Sequence, residues 1–230
     1  MKSNPLTLFG VACIDEAGRG PMIGPMVVCG LLFEDDVDTP LRNLGIKDSK
    51  QLSPKRREEL YDDILNLTKR SSIRRVSASK IDELRGRGVT LNEIELREFI
   101  SITKSLRPLR LFVDAVDVKA ERFGLAIAER SKLKDIGIVV ISEHRADLTY
   151  PMVSAASVIA KVERDRAILK LHDQYGDFGS GYPNDPKTLS FVRDLVASKE
   201  KLPKIVRRSW APIRRLESEM NTKQIKLDSY

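Results

Sequence analysis

The order of apolar runs in this 230-residue chain predicts an α/β fold: a mixed five-stranded sheet flanked by helices, followed by a small helical C-terminal appendage. Three observations carry that expectation. Three β-branched runs come first, and strand-like and helical segments alternate after them. Helix-capping residues punctuate the spaces between the runs. Strand signals stop after about residue 176, which predicts a sheet-bearing domain over 1–176 and a helical, basic region with a short tail over 177–230.

The elements follow in order. LTLFGVACI (6–14), MVVCGLLF (26–33) and SIRRVSA (72–78) read as strands, as do LRLFVDA (109–115) and GIVVIS (137–142). Ser53-Pro54 is a cap followed by a first-turn proline and starts a helix through RREELYDDILNL. Thr90 and Glu93 form a capping box for a helix reaching about Leu106. Further helices are predicted over about Ala120 to Ser131, from Tyr150-Pro151, and from Asp185-Pro186. In the helix from Pro151, Val153, Ala156, Ile159 and Ala160 share one face and are small enough to sit close to a sheet. An antiparallel opening meander with parallel later strands satisfies this order.

Hydrophobic residues make up 41% of the chain, enough to bury a core without a disulfide or a structural metal. Cys13 and Cys29 do not make a disulfide framework, and a reducing, intracellular setting is expected. If their segments form a hairpin turning near Pro21, the two thiols could face each other; apolar packing is the simpler expectation. The opening residues lack the apolar core of a signal peptide and no run is long enough to span a membrane, so a cytoplasmic, monomeric protein is expected. The formal charge is +7, and residues 187–230 carry eleven Lys/Arg against five Asp/Glu. Charge alone leaves a polyanion-binding face and a solvated helical surface equally open.

Isolated acids fall where strands end. Asp15-Glu16 follows VACI, Asp114 follows LFV, and Asp147 lies a few residues beyond IVVIS. The C-terminal ends of parallel strands share one edge of a sheet, and ligands bind outside that edge. A single acid there is explained by loop or helix capping, but three strand ends with the same feature point to a site. Carboxylates so gathered repel one another and need compensation. Hard divalent cations supply it: Mg²⁺ or Mn²⁺, since two histidines and no CxxC pair argue against Zn²⁺. Two such ions roughly 4 Å apart suit phosphodiester hydrolysis. Adjacent strand residues point to opposite faces, so Asp15 and Glu16 can share a site only if the chain turns there, and Ala17-Gly18-Arg19-Gly20-Pro21 offers the means.

IDEAGRGPMIGPMVVCG, DSKQLSPKRREEL, FVDAVD, ADLTYPMVSAASVIAKVERD and FGSGYPNDPKT, in that order, closely resemble ribonuclease HII in its archaeal form, from about Leu8 to Trp210. The resemblance implies a ribonuclease H-like core with a helical appendage. It implies endonucleolytic cleavage of RNA in RNA/DNA hybrids and at single ribonucleotides in duplex DNA, leaving 3′-hydroxyl and 5′-phosphate ends. The family's catalytic, metal-binding acids fall on Asp15, Glu16, Asp114 and Asp147, its glycine-arginine-glycine loop on Gly18, Arg19 and Gly20, and its partner tyrosine on Tyr182.

Those residues suit the chemistry. Glycines at 18 and 20 let backbone approach a sugar whose 2′-hydroxyl both donates and accepts, and Arg19 offers a phosphate a fork of donors. Tyr182 could stack on a sugar. Lys50, before the Ser53 cap, could meet a phosphate, as could the KRR run at 55–57; a solvated face is the alternative. Arg207, Arg208 and Trp210 form a basic-aromatic cluster suited to a duplex backbone, with core packing as an equal alternative for the tryptophan. Ser154 and Ser157 read as packing or backbone-bonded residues, and His144 as a loop histidine. The tail Gln224-Ile225-Lys226-Leu227-Asp228-Ser229-Tyr230 resembles a degenerate version of the peptide that docks on sliding clamps, with a chance match as the alternative.

Overall fold

The computed structural model describes residues 8–34, 37–46, 52–198 and 200–227, with side chains to residue 220. Lys50 and the end of the clamp-like tail lie outside these residues. In chain order the elements are β1 (Val11–Ala17), β2 (Met26–Phe33), α1 (Asp38–Asn43), α2 (Pro54–Leu67), β3 (Arg70–Val76), α3 (Ala78–Gly86) and α4 (Leu91–Leu106). There follow β4 (Arg110–Asp114), α5 (Ala120–Arg130), β5 (Val139–Glu143), α6 (Ala146–Thr149), α7 (Pro151–Tyr175), α8 (Pro186–Ala197) and α9 (Ala211–Leu227). Among the described residues no helix is long and apolar enough to cross a membrane.

The chain forms two compact units. The first gathers the described residues of Met1–Ala17, Val27–Arg75 and Asn92–Glu163, and the second those of Gly18–Met26, Val76–Leu91 and Arg164–Tyr230.

The first unit holds the five-stranded sheet, ordered β3-β2-β1-β4-β5. β1 runs antiparallel to β2 and parallel to β4, and β4 runs parallel to β5. This is the mixed ribonuclease H-like sheet that the order of runs and the resemblance predict. β1 and β2 lie inside the sheet and are buried along almost their whole length, whereas β3, at the edge, is mostly exposed and charged. One side of the sheet carries Val11, Cys13, Val27, Cys29, Leu31 and Phe33 in a core with Leu60, Tyr61 and Ile64 of α2 and the apolar start of α7. On the other side a Cβ placed on Gly30 would lie 2.2 Å from Ile102 of α4, so only glycine lets that helix seat. Every residue from Pro151 to Ala160 is buried, so the small side chains of α7 serve its whole circumference rather than the single face expected.

Both cysteines are free and buried. The Cys13 thiol donates to the Met152 carbonyl at 2.8 Å, and desolvation pushes both thiols well above their usual range. They pack as apolar residues.

The predicted caps hold at two helices: Ser53 Oγ accepts from Arg56 N, and the Asp185 carboxylate accepts from Lys187 N. The second unit has its own core of Met22, Ile23, Ile168, Phe178, Val192, Leu202, Val206, Ile213 and Leu216. It therefore joins residues of 177–230 to the 18–26 loop and the end of α7.

Candidate active site

In the first unit, side-chain oxygens of Asp15, Asp114 and Asp147 lie within 4.8 Å of one another. The topology explains why. β4 pairs in parallel with β1 from Val11↔Arg110 to Ile14↔Val113, so the next residue of each strand, Asp15 and Asp114, emerges at the same edge. β5 pairs Glu143 with Asp114, and the chain then turns into α6, which carries Asp147. Arg145 makes that turn in the left-handed region, at φ 58°, a conformation that costs an arginine roughly 1–3 kcal/mol. It brings the Ala146 N–H to donate to the Asp114 carboxylate at 3.2 Å.

Asp15 and Asp147 are almost fully buried, at 4% and 1% exposure. Desolvation, followed by repulsion from the Glu16 and Asp114 carboxylates, pushes Asp15 well above the ordinary carboxylate range. Two contacts oppose this: a hydrogen bond from Ser157 of α7, and the Glu16 N–H donating to Asp15 Oδ1 at 2.8 Å. Three crowded carboxylates with these few compensations make an all-oxygen donor set that fits a hard divalent cation.

Glu16 differs from the expectation. β1 does not turn after Ile14 but continues through Ala17, and Glu16, half-buried, is not among the three acids whose oxygens converge. Strand alternation separates neighbours, while the charge of Glu16 still reaches Asp15.

In the second unit the Gly18-Arg19-Gly20 loop is held by its carbonyl oxygens. Arg207 donates from Nη2 to Gly18 O at 2.6 Å, from Nη1 to Arg19 O at 2.9 Å and from Nε to Gly24 O at 3.0 Å. Trp210 Nε1 donates to Gly20 O at 3.2 Å, and its ring lies 4.9 Å from the Arg207 guanidinium carbon. Arg207 is fully buried, so the duplex contact expected of it is replaced by an internal one: its donors are spent on the loop. Burial, then the Arg164 charge, pulls it down to about 9, which leaves it cationic at neutral pH.

Gly18 needs its missing side chain. At φ 83° a Cβ would sit 2.6 Å from Pro25 O and 3.0 Å from Arg164 Cδ. Arg164, buried in α7, stacks over the Tyr182 ring at 4.6 Å and donates to Ser180 O at 2.5 Å. Met22 N and Ile23 N both donate to Gly181 O, joining the GSGYP turn to the 18–26 segment. A Cβ placed on Gly20 would lie 3.8 Å from Tyr182 Cε1, so Tyr182 stands beside the Gly18-Arg19-Gly20 loop. Arg208 is half-buried, with its N–H donating to Asp82 Oδ2 at 2.8 Å. His144 is an exposed loop residue tied to the carbonyls of Ala115 and Val118.

Two residues were not singled out from sequence: Arg164, beside the glycine loop of the second unit, and Ser157, the partner of Asp15 in the first. The signal for Arg164 was available, as a cation in a helix whose preceding turns are apolar. For Ser157 no local signal exists, since its partner lies on a strand 142 positions earlier in the chain.

A family model described as Ribonuclease HII matches residues 12–213. A ribonuclease HII from Pyrococcus abyssi is 43% identical over 222 residues, covering 96% of each chain. The crystal structure of the ribonuclease H2 from Pyrococcus horikoshii aligns with a TM-score of 0.83 at 40% identity, over 92% of this chain and 98% of that one. Ribonuclease HII in its complex with PCNA from Archaeoglobus fulgidus aligns with a TM-score of 0.79 at 42% identity, over 88% of this chain and 95% of that one. With nearly the whole length matched and the acids and glycine loop in place, this chain belongs to the ribonuclease HII family.

Proposed function

We propose that this endoribonuclease hydrolyses the RNA strand of RNA/DNA hybrids and also cuts duplex DNA at a single embedded ribonucleotide, leaving 3′-hydroxyl and 5′-phosphate ends. The observation that carries the reading is the convergence of Asp15, Asp114 and Asp147 at one sheet edge. These acids suit divalent cations, and we assign two Mg²⁺ or Mn²⁺ ions to them. Asp15, Asp114 and Asp147 would hold the ions, with Glu16, whose charge reaches Asp15, as the fourth acid that would complete the set. When bound, the ions activate the attacking water and stabilise the leaving oxygen.

The chain's own residues then select and orient. Ser157 fixes the Asp15 carboxylate, and the Ala146 N–H fixes that of Asp114. Gly18 and Gly20 present bare backbone to the ribose, whose 2′-hydroxyl distinguishes RNA from DNA. Arg207 and Trp210 keep that backbone in place, Tyr182 stacks on the sugar, and Arg19, Lys50 and Arg208 meet phosphates.

The test is a duplex with one ribonucleotide, incubated with Mg²⁺, Mn²⁺ or a chelator, beside an all-DNA duplex. Cutting only at the ribonucleotide and only with a cation supports the reading. Binding without cutting would leave a hybrid-binding protein, and cutting of all-DNA substrates would leave a nuclease of another class.

The chain acts as a cytoplasmic monomer in this reading. Its tail, Gln224 to Tyr230, docks on a sliding clamp, supported by the ribonuclease HII of Archaeoglobus fulgidus that forms a complex with PCNA. Leu227→Ala with Tyr230→Ala would abolish co-elution with the clamp; unchanged co-elution would refute the docking.

A further inference from the structure

The second unit contains a cationic groove of which the reading above uses only Arg208 and the end at Gly20 and Trp210. A cavity of about 650 Å³ is lined by Arg85 of α3, Lys201, Lys204 and Arg208 of the segment after α8, and Arg214 of α9. An adjoining hollow of about 380 Å³ shares Arg85, Ser209 and Arg214 with it and ends on Gly20 and Trp210. The two together run from the lysines to the last glycine of the loop that Arg207 holds.

The groove carries five cations against one acid. Its one acid, Asp82, accepts from the N–H groups of Arg208 and Ser209 and from the Ser209 hydroxyl, so its oxygens are spent on the wall. Elsewhere on α3, Glu83 pairs with Lys80 and with Arg87 just past the helix end. Among the described residues, none of the five groove cations is in an ion pair. Three of them are already oriented. Arg214 donates to Ser209 O at 2.7 Å, Arg208 donates to Leu202 O, and Arg85 lies over the Trp210 ring at 5.6 Å. Lys201 and Lys204 are exposed and supply the adaptable end.

A single small anion engages two or three cations at one point. Five cations spread along connected hollows match a chain of regularly spaced phosphates instead. The neighbouring residues 207 and 208 divide the labour: Arg207 turns inward to the loop, while Arg208 lines the groove.

We propose that this groove holds the phosphodiester backbone of the duplex arm extending from the nucleotide read at Gly20, so that it sets affinity for long substrates over short ones. The proposal rests on the functional reading above, with the groove as an extension of the same substrate's path.

The experiment compares the wild type with Lys201→Gln/Lys204→Gln in chelator, where binding is read without cutting. Two duplexes with one ribonucleotide are used: one with arms longer than a helical turn of about 10 base pairs, and one hairpin-capped with arms of about four. For the long duplex the double variant should bind about tenfold more weakly at moderate salt. Its slope of log affinity against log salt should be shallower by about 1.8, at about 0.9 per lost phosphate contact. Short-duplex affinity should be unaltered, and thermal unfolding should match the wild type. An unchanged slope, or an equal loss on both duplexes, would overturn the proposal. So would selective displacement of the long duplex from the wild type by inorganic phosphate at constant ionic strength, which would make the groove a free-anion site. Wild-type cutting of the short duplex with Mg²⁺ separates the two failures: its absence sinks the functional reading, whereas its presence with unchanged slopes sinks the groove alone.

Discussion

Arg207 Nη2 donates to the carbonyl oxygen of Gly18 at 2.6 Å, across 189 positions of sequence, and makes a buried cation the anchor of a glycine loop. Backbone carbonyls are the right partners for such a group. They satisfy the guanidinium without a carboxylate partner, and the planar fork reaches several of them at once.

Arg207→Lys tests that anchor. A lysine keeps the charge but cannot span Gly18, Arg19 and Gly24, so buried carbonyls lose their donors at a cost of about 3 kcal/mol. At about 2–4 °C per kcal/mol for a chain of this size, Tm should fall by roughly 6–12 °C. Cutting at a single ribonucleotide, assayed well below the new Tm, should fall at least tenfold. Unchanged cutting would mean that the loop does not depend on this residue.

Asp114→Asn should leave circular dichroism intact and remove nearly all cutting. It also removes one charge from beside Asp15, so without cations the variant should unfold at or above the wild-type temperature. A lower Tm in chelator would mean that the three carboxylates are not in mutual repulsion.

Ser157→Ala removes the hydroxyl that donates to Asp15. Hydrogen bonds to charged groups contribute about 1.5–3 kcal/mol, and partners that orient metal ligands typically change affinity about 10- to 100-fold. Mn²⁺ titration calorimetry should show a loss within that range, with cutting rescued at high cation concentration. Equal affinity would place Ser157 outside the metal site.

Glu93 provides a pH test away from the site. Its carboxylate accepts from Arg130 and then Arg97, which hold it at about 2 against an ordinary 4.5. A depressed acid stabilises the fold above its unfolded value and loses that contribution as pH falls. The Tm gap between wild type and Glu93→Gln should therefore be full at pH 7 and close between about 4.5 and about 2. The pair is partly exposed, so about 1 kcal/mol is expected rather than the full equivalent of the shift. A gap independent of pH would mean that the ion pairs are not its source.

The sheet was legible because its strands are apolar, β-branched runs ended by turn residues, and Ser53 and Asp185 were legible as caps because they cap through local contacts. Acids at strand ends pointed to the edge where Asp15, Asp114 and Asp147 meet. α1, α3 and α6 escaped notice, α3 with few apolar positions and α1 and α6 only six and four residues long. The fate of Arg207 was hidden for a deeper reason. Sequence shows a basic residue in a basic stretch, and only the fold reveals which of two adjacent arginines is buried. The extension of β1 past Asp15 was likewise unreadable, because charged residues at 15 and 16 break the apolar pattern that marks a strand.

The thiols of Cys13 and Cys29, buried on two neighbouring inner strands, give the protein a built-in clock. Protonated and shielded from solvent, they cannot meet an alkylating reagent until the central hairpin comes apart. The rate at which they become labelled therefore reads out how often the catalytic body opens, with no probe added to the chain.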